Sequence, residues 1–409
     1  MGDQKGMVDI PKHILEEHLK TQPEQLLVKK RQGKYAIGVP NEITFQENRV
    51  ALVPHSVATL VAIGYRVIVE SGAGKKSKIS DSAYADAGAD VVFSAEAVYK
   101  ADVIIKVTPP SIKEIEYFRP NQILISPLHI PVINAEYINK LKQKRVIAIA
   151  MEYLHNDKGV FPVVRVMSEI SGIFAMHTAA ELLTNFHNGN GILLGGIAGV
   201  PPAKVVILGA GVVAEFATRT ALGLGAEVRI FDDSIEKLVR LQNNIGKQLF
   251  TSVLDPISLK KQLLEADVAI GALHSNSGRA PMVVNEDLVT QMKSGSVIVD
   301  VSIDQGGCFE TSEVTTHKNP TFIKHEVIHY CVPNIPSMVS QTASVAISNI
   351  LTSIMKRAKD SGGLEQMLFT DVGLRNGVYT FKGSLTNDYL GRRFGIKTIN
   401  LDLLLTSGY

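Results

Sequence analysis

Residues 203–233 read AKVVILGAGVVAEFATRTALGLGAEVRIFDD, and this stretch decides the fold. Val205 to Leu208 is a short apolar run of the kind that makes a strand covered on both faces. It stops at Gly209-Ala210-Gly211. Val213, Phe216, Ala217, Thr220, Ala221 and Leu224 then recur at helical spacing, with Gly223 and Gly225 at the far end. Glu227 to Phe231 is a second strand, closed by Asp232 and Asp233. Strand, glycine turn, helix, strand and acid in that order spell a dinucleotide-binding βαβ unit. Gly209 permits the tight turn, and Gly211 lets a pyrophosphate approach the backbone. The helix start at Val212 and Val213 offers free N–H groups and a partial positive charge. Ala214 stands at the third glycine position, where only close helix–strand packing is asked. Asp232 lies about 20 residues beyond the turn, where an acid accepts from ribose hydroxyls. An acid there repels a 2′-phosphate, so the cofactor expected is NAD.

Composition narrows the class. The chain has 409 residues, more than one ordinary core holds, so two or three domains are expected. It is 45% apolar and 20% charged, and 42 Lys and Arg nearly balance 40 acids, leaving no basic field for nucleic acid. The two cysteines, Cys308 and Cys331, argue against a disulfide framework and suit a reducing, cytoplasmic setting. No run of about 18 apolar residues suggests a membrane span. Residues 1–34 form a polar extension without an apolar signal core, in which Pro11 to Lys20 reads as a short amphipathic helix.

From Tyr35 the pattern is strand and helix in alternation. Strands are expected at YAIGV, Arg66 to Glu70, Val103 to Val107, Gln122 to Ile125 and Val146 to Ala150, which makes a first doubly wound parallel sheet. It has no glycine fingerprint. Its strand ends and loops carry Arg49, Lys106 and His129 instead, and isolated cationic or titratable groups at such ends suggest an anion pocket. A long helix is expected over 162–190, linking the first sheet to the glycine-turn unit. That second unit continues through DVAIGAL, SVIVDV and two short strands near 321–332, and a helical pattern resumes at Ser340. The tail carries the polar run YTFKGSLTN.

Each candidate has an ordinary reading beside the functional one. Arg49 fits a surface ion pair as well as a bidentate carboxylate fork. Lys106 ends an apolar strand, where a lysine must snorkel out or meet an anion. His129, framed by prolines in PLHIP, is either a hydrogen-bonded structural histidine or a proton carrier near neutrality. Asp304 follows a buried strand and precedes Gly306-Gly307; it makes an Asx-type turn or faces the cofactor crevice.

Seven ordered stretches, PNEITFQENRVALVP, VIIKVTPP, PLHIP, MSEISG, GGIAGVPPAKVVILGAG, VDVSIDQGGCFE and YCVPNIPS, resemble the alanine dehydrogenase branch of the alanine dehydrogenase and pyridine nucleotide transhydrogenase family. The tail VYTFKGSLTN is similar to that branch too. The resemblance implies an α/β protein of two doubly wound, Rossmann-like domains, with the cofactor domain (162–340) inserted in a discontinuous substrate domain (35–161 and 341–409). It implies that Arg49 and Lys106 hold the substrate carboxylate, that His129 is the acid/base group, and that Asp304 assists on the nicotinamide side. Ser168 and the backbone around Asn334 would contact NAD. The reaction implied is reversible oxidative deamination of L-alanine to pyruvate and ammonia, by a homo-oligomer, often a hexamer. A transhydrogenase-like NAD(H)-binding subunit, or a dehydrogenase for another small amino acid, is the alternative. Two positions depart from the branch: Ser126-Pro127 replaces an aromatic before Leu-His, and Met282 stands where a basic residue is frequent.

Overall fold

The computed structural model describes residues 35–406 apart from Phe45, Pro131, Asn276 and Ser277. The helix expected at Pro11 to Lys20 lies outside the described residues. Two sheets organise the rest. The first is eight-stranded, in the order β15-β14-β6-β5-β4-β1-β2-β3. Its strands are β1 (Ala36–Val39), β2 (Arg66–Glu70), β3 (Asp90–Val92), β4 (Val103–Ile105), β5 (Ile123–Ser126), β6 (Ile147–Ala150), β14 (Val378–Phe381) and β15 (Ser384–Leu385). β1 to β6 pair in parallel, while β14 joins β6 antiparallel. The second sheet is seven-stranded, β12-β13-β11-β10-β7-β8-β9. It comprises β7 (Lys204–Leu208), β8 (Glu227–Phe231), β9 (Phe250–Ser252), β10 (Val268–Gly271), β11 (Val297–Asp300), β12 (Thr321–Lys324) and β13 (Val327–Tyr330). All its pairings are parallel except β12 with β13.

The central strands are buried along their length, as apolar runs without alternation require. Helices cover both faces of each sheet. The helix Ser340–Asp360 returns the chain to the first sheet and adds Ile347, Leu351, Ile354 and Met355 to its core. Full burial of each such side chain is worth about 1.5–3 kcal/mol, so the return is a substantial part of that sheet's stability. No helix among the described residues is long and apolar enough to cross a membrane.

Two sequence expectations change. The connecting helix spans Pro162–Leu182 and does not run to 190. Thr184 and Asn185 begin a 3-10 turn, Asn188 takes a left-handed φ of 64°, and Gly189 packs back on the carbonyl of Leu182 too closely for any side chain. The run YTFKGSLTN is not a polar tail but the β14–β15 hairpin. Lys382 and Gly383 sit at its tip with φ of 48° and 100°, the positive-φ pair that a type I′ turn demands.

Candidate active site

Strand order reverses between β1 and β4 in the first sheet and between β7 and β10 in the second. Ligands of open α/β sheets bind outside the carboxyl ends of strands at such points. The chain places its chemistry there.

In the second sheet, Gly209 has φ 118°, and its amide donates to Phe231 O at 2.6 Å. A Cβ on Gly209 would lie 2.7 Å from the Ala272 carbonyl carbon and closer still to its oxygen, so the turn is pressed against the strand end beside it. Gly211 is the opposite case: a Cβ there would meet nothing within 4 Å. It caps the helix Val212–Gly223 with no side-chain bond, which leaves the first N–H groups at Val212 and Val213 aimed at open space. Asp232 is buried at the end of β8; one carboxylate oxygen accepts from Ala210 N and the other from Ser234 N, each at 2.8 Å. The acid therefore braces the glycine turn while keeping lone pairs for another donor. An uncapped helix start behind a side-chain-free approach, with a carboxylate across from it, fits a dinucleotide pyrophosphate and ribose.

Asp304 rides on a short 3-10 turn (Val301–Gln305) after β11. Asp300, fully buried at the strand end, holds this turn. It accepts from Ser302 N, Cys308 N and Ser312 Oγ at 2.7–3.0 Å. Gln305 ties the turn to the loop after β10, accepting from Ser275 N at 3.0 Å. Asp304 in turn accepts from Asn334 N at 3.2 Å. Asn334 has φ 55°, a left-handed conformation that asparagine tolerates.

In the first sheet, the loop after β1 presents Arg49. Glu47 grips its guanidinium from behind, with Nε donating to Oε1 at 2.7 Å and Nη2 to Oε2 at 2.6 Å. Nη1 approaches Met167 Sδ at 3.4 Å on the connecting helix. His129 follows β5 with φ 47°. Its amide and that of Leu128 donate to Glu152 Oε1 at 3.2 and 2.7 Å. Glu152 sits just after β6, the neighbour of β5, so one carboxylate fixes the backbone that carries the imidazole. Lys106 sits just after β4 with its side chain wholly out of solvent. Its ammonium faces Glu42 at 3.0 Å and Glu114 at 2.9 Å, so in this conformation it braces the β1 and β4 loops from within. Glu42 also accepts from Val107 N and the Thr108 hydroxyl.

The electrostatics join these groups. Burial lowers the His129 pKa; the Asp304 charge opposes the shift and Arg49 adds to it, and the net value is below the ordinary one. Burial raises Asp304, against the pull of Asn334 N, His129 and Arg49. Both residues are exposed to solvent, yet protein atoms crowd round their titrating groups. Burial opposes the charge on Arg49, but Glu47, with Glu42 and Asp304 beyond it, keeps the guanidinium more basic than usual. Burial likewise opposes Lys106, and Glu42 and Glu114 outweigh it. Arg49, His129 and Asp304 thus share one field, two of them contributed by the first sheet and one by the second. Lys106 lies behind them, linked through Glu42.

Sequence reading named Arg49, Lys106, His129 and Asp304 but not the acids bonded around them: Glu42, Glu47, Glu114, Glu152 and Asp300. One carried a visible signal. Ser111-Ile112-Lys113-Glu114 is a capping box, with Ser111 N donating to Glu114 Oε2 at 2.7 Å, while Oε1 holds Lys106.

Fold and site together define a two-sheet dinucleotide-binding enzyme of the dehydrogenase type. The family model "Alanine dehydrogenase/PNT, N-terminal domain" matches residues 38–171, and "Alanine dehydrogenase/PNT, C-terminal domain" matches 175–388. An alanine dehydrogenase of Bacillus subtilis (strain 168) is 39% identical over 364 residues, covering 89% of this chain and 96% of that protein. Among solved structures, an L-alanine dehydrogenase superposes with TM-score 0.83 at 38% identity, covering 88% of this chain and 99% of the other. A transhydrogenase from Sinorhizobium meliloti superposes with TM-score 0.75 at 26% identity, covering 87% and 99%. The chain belongs to the alanine dehydrogenase/PNT family, whose cofactor is a pyridine nucleotide.

Proposed function

We propose that the chain catalyses the reversible, NAD-dependent oxidative deamination of L-alanine to pyruvate and ammonia. The carrying observation is that the Arg49 fork, the His129 imidazole and the Asp304 carboxylate act on one another electrostatically, beside a second sheet that carries an uncapped glycine turn. Relatives named alanine dehydrogenase, at 38–39% identity over about nine-tenths of the chain, support L-alanine as the amino acid. The buried Asp232 carboxylate supports NAD, because it repels a 2′-phosphate. We read 35–161 with 341–409 as the substrate domain, 162–340 as the cofactor domain inserted in it, and the assembly as a homo-oligomer.

Gly209, Gly211, Val212 and Val213 would cradle the cofactor pyrophosphate and Asp232 its ribose, with Ser168 and the Asn334 backbone against the nicotinamide half. Bound NAD supplies the hydride acceptor. Arg49 takes the substrate carboxylate in its planar fork and fixes the Cα in register; orientation of this kind converts a bimolecular encounter into an intramolecular one. Lys106 adds positive charge behind the fork and reaches the carboxylate if Glu42 yields it. Burial lowers the pKa of His129, so it is neutral at the pH of the reaction and accepts the proton from water attacking the imine carbon. Asp304, with its pKa raised, faces His129 and stabilises its protonated form.

Purified protein given L-alanine and NAD at alkaline pH should produce NADH, and pyruvate with ammonia should consume it. Failure to turn over any small amino acid would overturn the reading. Hydride exchange between two nicotinamides without alanine would move it to the transhydrogenase side of the family.

A further inference from the structure

Glu47 is buried within the site, with a side chain 1% accessible. Its carboxylate is saturated. Oε1 accepts from Arg49 N at 2.9 Å and from Arg49 Nε at 2.7 Å; Oε2 accepts from Arg49 Nη2 at 2.6 Å and from Asn334 Nδ2 at 3.0 Å. Four donors occupy the roughly four lone-pair sites of a carboxylate. Such a group has no lone pair to take a proton from substrate. Its fourth bond is of a different kind from the other three. It leaves the first-sheet loop and reaches the segment after β13, whose Asn334 N donates to Asp304. A continuous chain of hydrogen bonds therefore runs from Arg49 through Glu47 and Asn334 to Asp304.

The bonds on either side act in the same direction. Asn48 N donates to Ser337 Oγ at 2.8 Å and Asn48 Nδ2 to Ser337 O at 3.2 Å; Ser337 Oγ donates to Gln46 O at 2.7 Å, and His317 N to Gln46 Oε1 at 3.1 Å. The loop carrying the substrate fork is thus sewn to the segment that holds the cofactor-side acid. Among these stitches, only Glu47–Asn334 joins a side chain bonded to the Arg49 guanidinium with a residue whose backbone N–H is bonded to Asp304.

We propose that Glu47 and Asn334 are positioning residues, a latch that fixes the separation between the Arg49 fork and the Asp304 carboxylate during turnover. The latch rests on the dehydrogenase reading above. It does not depend on which amino acid is the substrate.

A double-mutant cycle tests it. Asn334→Gly keeps the left-handed backbone and the amide to Asp304 while removing the side-chain bond to Glu47. Asn334→Asp places a second carboxylate against Glu47. Glu47→Ala removes the carboxylate, so it breaks the same bond from the other end together with the three to Arg49. Steady-state rates are measured at saturating NAD with whichever small amino acid the wild type oxidises, and NADH affinity by fluorescence titration. Because the wild type selects the substrate, a failed alanine assignment and a failed latch give different results. The expected outcome for Asn334→Gly is a kcat about tenfold down, with KM for the amino acid and Kd for NADH each within about threefold of wild type. Asn334→Asp is expected to be worse than Asn334→Gly. The double variant Glu47→Ala/Asn334→Gly should have the kcat of Glu47→Ala alone, since the second change removes a bond already lost. Multiplicative kcat losses, or a wild-type kcat in Asn334→Gly, would overturn the latch. So would an Asn334→Gly protein whose only defect is weakened NADH binding, which would make the side chain a cofactor ligand.

Discussion

Alanine substitutions at the two glycines of the turn should have opposite effects, because the two positions differ in what surrounds them. Gly209 has φ 118°, a region that L side chains rarely adopt, and its missing Cβ would collide with the Ala272 carbonyl. Backbone strain of this kind costs about 1–3 kcal/mol, and forcing extra volume into a packed contact costs about 1–3 kcal/mol more. Gly209→Ala should therefore lose about 2–6 kcal/mol, which at about 2–4 °C per kcal/mol for a domain of this size is a melting point lower by about 5 °C or more. Gly211 has φ −79° and ψ −167°, extended backbone that any residue adopts, and open space ahead of it. Gly211→Ala should melt within about 2 °C of wild type, because the chain-entropy gain of alanine and its poorer fit at a helix N-cap nearly cancel. Its defect should be in binding. A methyl group on the approach path holds the pyrophosphate off the helix start, and losing one charge-assisted hydrogen bond of about 1.5–3 kcal/mol weakens NADH about 10- to 150-fold. Differential scanning fluorimetry and NADH fluorescence titration on the two purified variants separate the effects. A Gly211→Ala protein with wild-type affinity, or a Gly209→Ala protein with wild-type stability, would refute this account of the turn.

Two further outcomes are expected. Glu152 serves His129 through an oxygen that accepts two amides, and burial already raises its pKa; Glu152→Gln keeps that acceptor and should stay within about threefold of wild-type kcat, while Glu152→Ala should lose about tenfold or more, and equal losses in steady-state assays would show that the charge matters instead. His329 is fully buried and neutral, its Nδ1–H donating to Val327 O at 2.9 Å and its Nε2 facing the Thr311 hydroxyl at 2.8 Å. Burial pulls its pKa down to about 4, against 6.5 ordinarily. The unfolded chain therefore binds a proton that the folded one refuses between those values, so its contribution to stability is complete above pH 6.5 and is lost as the pH falls towards 4. Over that window the urea unfolding free energy of wild type should fall relative to His329→Gln by about 3 kcal/mol, and parallel pH profiles for the two proteins would exclude the effect.

Much of this molecule was legible before any coordinates, for a local reason. The unit at 203–233 contains its whole signal within one stretch, because strand, turn, helix and acid are neighbours in sequence and in space. Lys106 was visible as a charge at the end of an apolar strand. The acids that govern the site were not. Glu42 meets Val107 across 65 positions, Glu47 meets Asn334 across 287, and Glu152 meets Leu128 across 24. Each lies in a loop where a glutamate looks like any solvated charge, and only the adjacency of strand ends brings it under its partner. Glu114 is the exception, since its capping box is local. The β14–β15 hairpin was hidden differently. Its strands are too short for alternation to stand out, and Lys382-Gly383 is a less familiar type I′ pair than Asn-Gly.

The return of the chain to its first sheet has a consequence for biosynthesis. The second sheet is built from one uninterrupted run of sequence, β7 to β13, so it can close as soon as that run has left the ribosome. The first sheet cannot. Until β14 arrives, more than 200 residues after β6, the edge of β6 offers unpaired backbone groups, and the face that receives Ile347, Leu351, Ile354 and Met355 stays bare. The segment made first is thus the one completed last. In the interval its exposed edge is the natural target of holdase chaperones, and of aggregation when translation stalls before residue 378.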